Sequence, residues 1–222
     1  MCEHALHPDV CGSGSRREHT MQTKHFDTKR MVLLAMLSGI LLLMSFTPLG
    51  YLNIGPLAVS LNMIPVAIGA VALGPTGGAF LGAVFGITSC LQCVGIGGTS
   101  AMGVALFEIN PILTLVQRFF PRLAAGYLSG IACRWICKCN RSVAYFLTGL
   151  LAALLNTILF MSTLVLLFSS TPYLQNQMGG QSVIAFMFTF VGVNAVVELL
   201  AATAVVGAVC KALEKTKLIG GC

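Results

Sequence analysis

The sequence predicts an all-α membrane protein, a bundle of six transmembrane helices. Three observations predict it. First, only 9% of the residues are charged and 56% are hydrophobic, whereas a soluble domain is about 25% charged. A surface so poor in charge cannot face water, so lipid is the solvent for most of the chain. Second, the apolar residues gather into six long stretches. Third, the basic residues fall in groups that alternate along the chain with loops lacking Lys and Arg, the pattern of a polytopic protein.

Residues 1–30 stand apart from the rest of the chain. They hold all four histidines (His4, His7, His19, His25), four of the seven acidic residues and the run Gly12-Ser13-Gly14-Ser15. This composition predicts a disordered polar tail on the cytoplasmic side. It is not a signal peptide, because no small-residue cleavage site follows the first apolar run. Met21-Gln22-Thr23-Lys24 reads as an alternative start.

The six stretches then come in order. The first runs from Met31 to Thr47 and is closed by Pro48. The second, Leu57 to Leu73, stops at Gly74-Pro75, and the third, Gly77 to Val94, is rich in glycine. The fourth lies between Ile109 and Ile136 and is interrupted by Arg118, Pro121 and Arg122. The fifth spans Val143 to Phe168 and the sixth Ser182 to Cys210. A span takes about 20 residues, so the first three are at or slightly below the short end and the last two are long enough to tilt. No ten-residue segment alternates polar and apolar residues at period two, which argues against barrel strands. Residues 31–215 form one transmembrane domain in this reading, and 216–222 a short cytoplasmic tail.

Lys and Arg set the orientation. One group (Lys24, Lys29, Arg30) precedes the first span, a second (Arg134, Lys138, Arg141) separates the fourth and fifth, and a third (Lys211, Lys215, Lys217) comes after the sixth. Six spans put all three on one face, the cytoplasm, with both termini inside. The loops at 48–56, 95–108 and 169–181 then face outward, free of Lys and Arg. The net charge of +6 is thereby explained by topology, and no nucleic-acid partner is implied. Arg118 and Arg122 are left over.

Charges inside a membrane are costly and mark function. Besides the two arginines, Glu108 and Glu198 qualify. Asn194 precedes Glu198 by four residues on one helical face, and Asn156 lies in the middle of the fifth span. These three form a polar patch that either contacts a ligand or binds helices together by hydrogen bonds. Arg118 and Arg122 also share a face. A guanidinium there clamps a carboxylate or phosphate, or snorkels to headgroups, or pairs with Glu108. Snorkelling or pairing fits Arg122 better, and Arg118 is the stronger ligand candidate.

Small residues give a second signal. Ala35-x-x-x-Gly39 in the first span, and Gly74, Gly77, Gly78, Gly82 and Gly86 across the next two, let other backbones approach. They serve either internal packing or docking of a separate membrane subunit. The segments 50–56 and 95–100 read as lids over an outward pocket or as plain connections. Cys90 and Cys93 have metal or redox spacing, but no second pair and no nearby histidine. They read as small packing residues, as do Cys133, Cys137 and Cys139. No metal or other cofactor is implied.

Several functions are excluded. There is no Gly-x-x-x-x-Gly-Lys-Ser/Thr phosphate loop and no His-Glu-x-x-His, no Gly-x-Ser-x-Gly nucleophile within a span, and no catalytic dyad. An enzyme is not predicted and no residue is assigned as catalytic. A self-sufficient secondary transporter of a small organic solute is one reading, although internal repeats and broken helix pairs are not evident.

A different reading is stronger, because several runs together resemble one family. They are Met31-Val-Leu-Leu-Ala-Met-Leu-Ser-Gly39, the long run from Ile64 through Gly74-Pro75-Thr76-Gly77-Gly78 to Gly86, Pro121-Arg122 before Gly126, and Asn194-Ala-Val-Val-Glu198. With the size and the six spans, the chain resembles the substrate-binding S component of energy-coupling factor (ECF) vitamin transporters over residues 31–215. The resemblance is made of many weak matches. It implies a subunit of an ABC importer in the bacterial cell membrane that binds a vitamin from outside. Such a subunit docks to a transmembrane T subunit carrying two ATPases, through a first-span motif that here is Ala35 and Gly39. It topples to deliver the ligand inward. By position it implies ligand contacts at Asn62, Arg118, Asn156, Asn194 and Glu198. Few aromatic residues flank the outer loops, and Trp135 is at the cytoplasmic end. A small aliphatic polar ligand fits that, an outward arginine suits an anion, and pantothenate meets both conditions.

Overall fold

The computed structural model describes residues 28–47, 51–54, 57–97, 101–178 and 183–216, with backbone alone for 51–54, 57–60, 101, 173, 177–178 and 183–194. Of the tail expected over residues 1–30, residues 1–27 lie outside the described residues, as do 217–222 of the expected end and parts of the expected lids (48–50, 55–56, 98–100). Residues 28–30 form the start of the first helix instead of tail. Helix α1 is Thr28–Phe46. A two-stranded antiparallel hairpin comes next, β1 Tyr51–Ile54 and β2 Leu57–Ser60, with Tyr51 opposite Ser60 and Ile54 opposite Leu57. Then come α2 Met63–Leu73, α3 Pro75–Cys93, α4 Ala101–Ile109, α5 Pro111–Cys137, α6 Arg141–Phe168, α7 Pro172–Met178 and α8 Val183–Lys215.

Apart from that hairpin and short turns, the described residues are helical. Among the described residues four helical segments are long and apolar enough to cross a bilayer: α1, α3, α6 and the part of α8 from Ala195 to Lys215. The arginines of α5 keep it out of that group despite its 27 residues. The second expected span differs most from its prediction. Leu57–Ser60 is strand, and α2 keeps only 11 residues, about 16 Å of helix. Hydrophobicity cannot separate a short apolar strand from the start of a buried helix. Nine of those eleven residues, Met63 to Val71, are buried. A helix apolar on every side belongs inside the protein, and α2 accordingly packs against α1, α3, α5, α6 and α8.

Local signals explain the helix starts. Pro111 opens α5 behind Asn110, whose side chain accepts a hydrogen bond from the Leu113 N–H at 3.2 Å, and Asn140 caps α6 through the Ser142 and Val143 N–H groups. Both satisfy first-turn donors that the helix itself leaves open. Gly74, at φ 79°, turns α2 into α3, a backbone conformation that favours glycine.

The α3–α5 contact organises the bundle. The two helices run antiparallel with backbones touching: a Cβ on Gly78 would strike the Gly126 carbonyl, one on Gly82 the Arg122 carbonyl, and one on Gly86 would meet Phe119. The internal-packing reading of these glycines is therefore right, and Gly126 and Gly130 are their partners on α5. Arg134 lies beside Gly74, and Arg141 meets Glu214 at 4.0 Å. Together they gather the basic residues of α5, α6 and α8 at one end of the bundle.

Helix α1 is attached by one stripe, Leu37, Leu41 and Ser45, four residues apart along one face. At its far end the buried Gln92 side chain donates to the Ser45 carbonyl at 2.7 Å, and Thr88 donates to the Ser45 hydroxyl at 3.2 Å. Leu33 and Leu34 are half-buried against the core, while Met31, Val32, Met36 and Ile40 make an exposed apolar face.

Candidate functional site

Buried polar residues concentrate in the half of the bundle away from the basic end. Ser45, Asn62, Thr88, Ser89, Gln92, Thr114, Gln117, Arg118 and Arg122 all lie there. The arginines dominate. Arg118 is 5% exposed and Arg122 6%, although they sit on α5 without any acidic residue near them in sequence. Their stems lie in the α3–α5–α6 interface. The Arg118 guanidinium carbon stands 5.5 Å from the Phe160 ring centre. That of Arg122 stands 4.6 Å from Phe85 and 5.1 Å from Phe160. These distances are within cation–π range. Arg122 also donates from Nη1 to the Arg118 carbonyl at 2.6 Å.

This overturns the reading of Arg122 as a residue that snorkels to headgroups or pairs with Glu108. Arg122 is buried as deeply as Arg118, and Glu108 is exposed with no ion pair among the described residues. Sequence reasoning missed Arg122 because a proline-bearing segment looks like a broken span end. In fact α5 continues through Pro121 and carries both arginines inside.

The other expected contacts are more dispersed. Asn62 is fully buried just before α2; its side chain caps nothing and has no hydrogen-bond partner among the described residues. Asn156 is buried on α6, one turn from Phe160, and its Oδ1 has no partner either. Glu198 is buried on α8 at 9% exposure. Asn194 lies on α8, with its side chain outside the described residues. The structure thus brings Arg118, Arg122 and Phe160 together, with Asn156 one turn away. Among the buried polar residues that escaped the sequence reading are Ser89 on α3 and Gln117 on α5. The signal that finds them is helical spacing, since Ser89 comes four positions after Phe85, and Gln117 four positions before Pro121.

The electrostatics favour an anion. Arginine does not deprotonate in proteins, so two fixed cations lie inside. Glu198 is the one buried carboxylate among the described residues. Among the described residues the buried side chains thus include one carboxyl group and two guanidinium groups, the latter donors of the kind that recognise a carboxylate or phosphate. No group of three metal-ligating side chains occurs among the described residues; Cys93 is buried and donates to the Ser89 carbonyl at 3.3 Å.

The expected docking motif has a definite setting. Ala35 is exposed, and a Cβ on Gly39 would meet no atom within 4 Å. The small residues are thus not consumed by packing within the chain.

Comparison with known proteins adds two findings. The family described as "ECF transporter, substrate-specific component" matches residues 29–209. "Pantothenate transporter PanT" of Leuconostoc mesenteroides subsp. mesenteroides is 27% identical over 191 residues, which cover 82% of this chain and 90% of that protein.

Proposed function

The chain belongs to the ECF transporter substrate-specific component family, a membrane transport protein and not an enzyme, and from that premise we propose that it captures pantothenate from outside the cell for an energy-coupled importer. The observation that carries the ligand class is the pair of buried arginines against a single buried carboxylate. Pantothenate brings one carboxylate, which guanidinium groups recognise, and an aliphatic body that suits the apolar walls. The printed name of the Leuconostoc relative supports the same choice.

In this reading α1, α2, α3, α5, α6 and α8 make six crossings. The basic end lies in the cytoplasm, which leaves the polar half toward the outside, where a nutrient arrives. Asn62, Arg118, Arg122, Asn156, Asn194 and Glu198 contact the ligand. Arg118 and Arg122 hold its carboxylate through charge-assisted hydrogen bonds, while Phe85 and Phe160 fix the guanidinium planes. The exposed face of α1 around Ala35 and Gly39 docks to a transmembrane T subunit, which two ATPases drive.

The test is equilibrium binding of labelled pantothenate to the purified protein. Saturable binding is expected, weakened at least tenfold by Arg118→Ala, since a hydrogen bond to a charged group contributes about 1.5–3 kcal/mol. Absence of saturable binding refutes pantothenate as the ligand.

A further inference from the structure

Gln117 is one of two fully buried amides, with Asn62, whose side-chain oxygen and nitrogen both go unsatisfied among the described residues. Its backbone is also compromised. In a helix the carbonyl of residue i receives the N–H of residue i+4, and the residue four beyond Gln117 is Pro121, inside α5, which has no N–H to give. The helix thus supplies no i+4 donor to that carbonyl, at the same residue whose two side-chain polar atoms are unsatisfied. Ser89 repeats the situation on α3: it is fully buried, and its hydroxyl has no partner among the described residues.

The two residues stand at nearly one level. The α3–α5 register runs through Gly78 against Gly126, Gly82 against Arg122 and Gly86 against Phe119, and the Cys90 thiol reaches the Leu115 carbonyl at 3.8 Å. Continuing that antiparallel register sets Ser89 level with Leu115 and Val116, one to two residues before Gln117. Gln117 is next to Arg118 along α5, and Ser89 is one turn beyond Phe85 along α3.

Buried polar groups are nearly always hydrogen-bonded, and an orphan costs about 1–3 kcal/mol. Several of them beside a pair of cations are unexpected in a chain selected only for stability, because leucine or alanine would fit the same positions at no such cost. We infer that Gln117 and Ser89 are specificity-determining contacts that read the neutral polar part of the ligand, its hydroxyl and amide groups, while the neighbouring arginines take its carboxylate. This rests on the reading of the buried half as the capture site. The amide nitrogen and the serine hydroxyl donate to a ligand carbonyl or hydroxyl oxygen. The Gln117 side-chain and backbone oxygens accept from a ligand N–H or O–H. The ligand class is accordingly a monocarboxylate with donors and acceptors along an aliphatic chain; a plain fatty acid or a compact inorganic anion leaves these atoms unmet.

The experiment compares Gln117→Leu and Ser89→Ala with the unsubstituted chain in detergent, freed of ligand. It has two readouts: the melting temperature without ligand, and the affinity for pantothenate. Both variants are expected to melt several degrees higher, because each removes an orphaned polar group. Both are expected to bind pantothenate at least tenfold more weakly. A lower melting temperature together with unchanged affinity overturns the inference, since it makes these residues structural. If the unsubstituted protein binds no pantothenate, the vitamin assignment fails by itself. The melting temperatures then decide alone: a rise in both variants supports the inference and a fall overturns it.

Discussion

At the level of single residues, the interior of this bundle is shaped by where polar atoms are buried. Arg118 was legible in the sequence because a charge within an apolar stretch is expensive and therefore conspicuous. Asn156 was legible as an isolated amide within a span, whereas Asn62 was pointed to only by the family resemblance; both are buried with unbonded side-chain atoms. Arg122 was misjudged, because whether a helix survives a proline depends on neighbours that only the fold supplies. Gln117 and Ser89 carry no charge and so gave no signal until their burial was known. The two arginines have a testable equivalence. Arg122→Lys preserves the charge but loses the planar fork that lies against Phe85 and Phe160, and arginine and lysine are not interchangeable at stacked sites. The expected outcome is about tenfold weaker pantothenate binding with a folded protein, read by titration and by melting temperature. If lysine restores full affinity, the guanidinium geometry is irrelevant and a point charge suffices.

Among the elements, helix starts at Asn110-Pro111 and Asn140 arise from capping chemistry and could be read directly from the sequence. The glycine run of α3 was legible as a close-packing surface. Its partner on α5 was not, because Gly126 and Gly130 are set in a segment of mixed polarity. The hairpin at 51–60 and the shortness of α2 were also hidden, since a short run of apolar residues fits a strand and a buried helix equally well. The α3–α5 contact predicts a specific sensitivity. Gly126→Val would drive a side chain into the Gly78 carbonyl and against Val66, where backbone cannot yield, and should destabilise by about 1–3 kcal/mol or more. A drop in melting temperature of the purified protein checks this. Helix α1 predicts the opposite behaviour. Gly39→Leu meets open space, so the isolated subunit should keep its melting temperature and its pantothenate affinity. The same substitution should reduce recovery of the chain with a tagged T subunit, because bulk blocks close approach of a second helix. Undiminished co-purification would place the docking surface elsewhere.

Across the whole molecule, class and orientation rest on very simple quantities. A chain with 9% charged residues had to be membrane-embedded, and the grouping of Lys and Arg predicted one basic end, which the folded chain forms by bringing the termini of α5, α6 and α8 together. The number of crossings was less legible, because α2 is too short and α5 too polar to satisfy the usual criteria for a span; α2 is enclosed by other helices of the same chain, whereas α5 buries its arginine face and leaves Ile112, Phe120, Tyr127 and Trp135 exposed. The orientation is checked by fusing a reporter to the C-terminus: a cytoplasmic fluorescent domain should fold and glow, and a periplasmic or extracellular phosphatase fused there should stay inactive. The division of labour is the central claim, that this chain captures its ligand and a separate module supplies the energy. The most direct measurement is uptake of labelled pantothenate by cells lacking their own route, expressing this chain alone or together with the T subunit and its two ATPases. The expected result is accumulation only with the full set, abolished when ATP is depleted. Accumulation by this chain alone, sustained by an ion gradient, would contradict it.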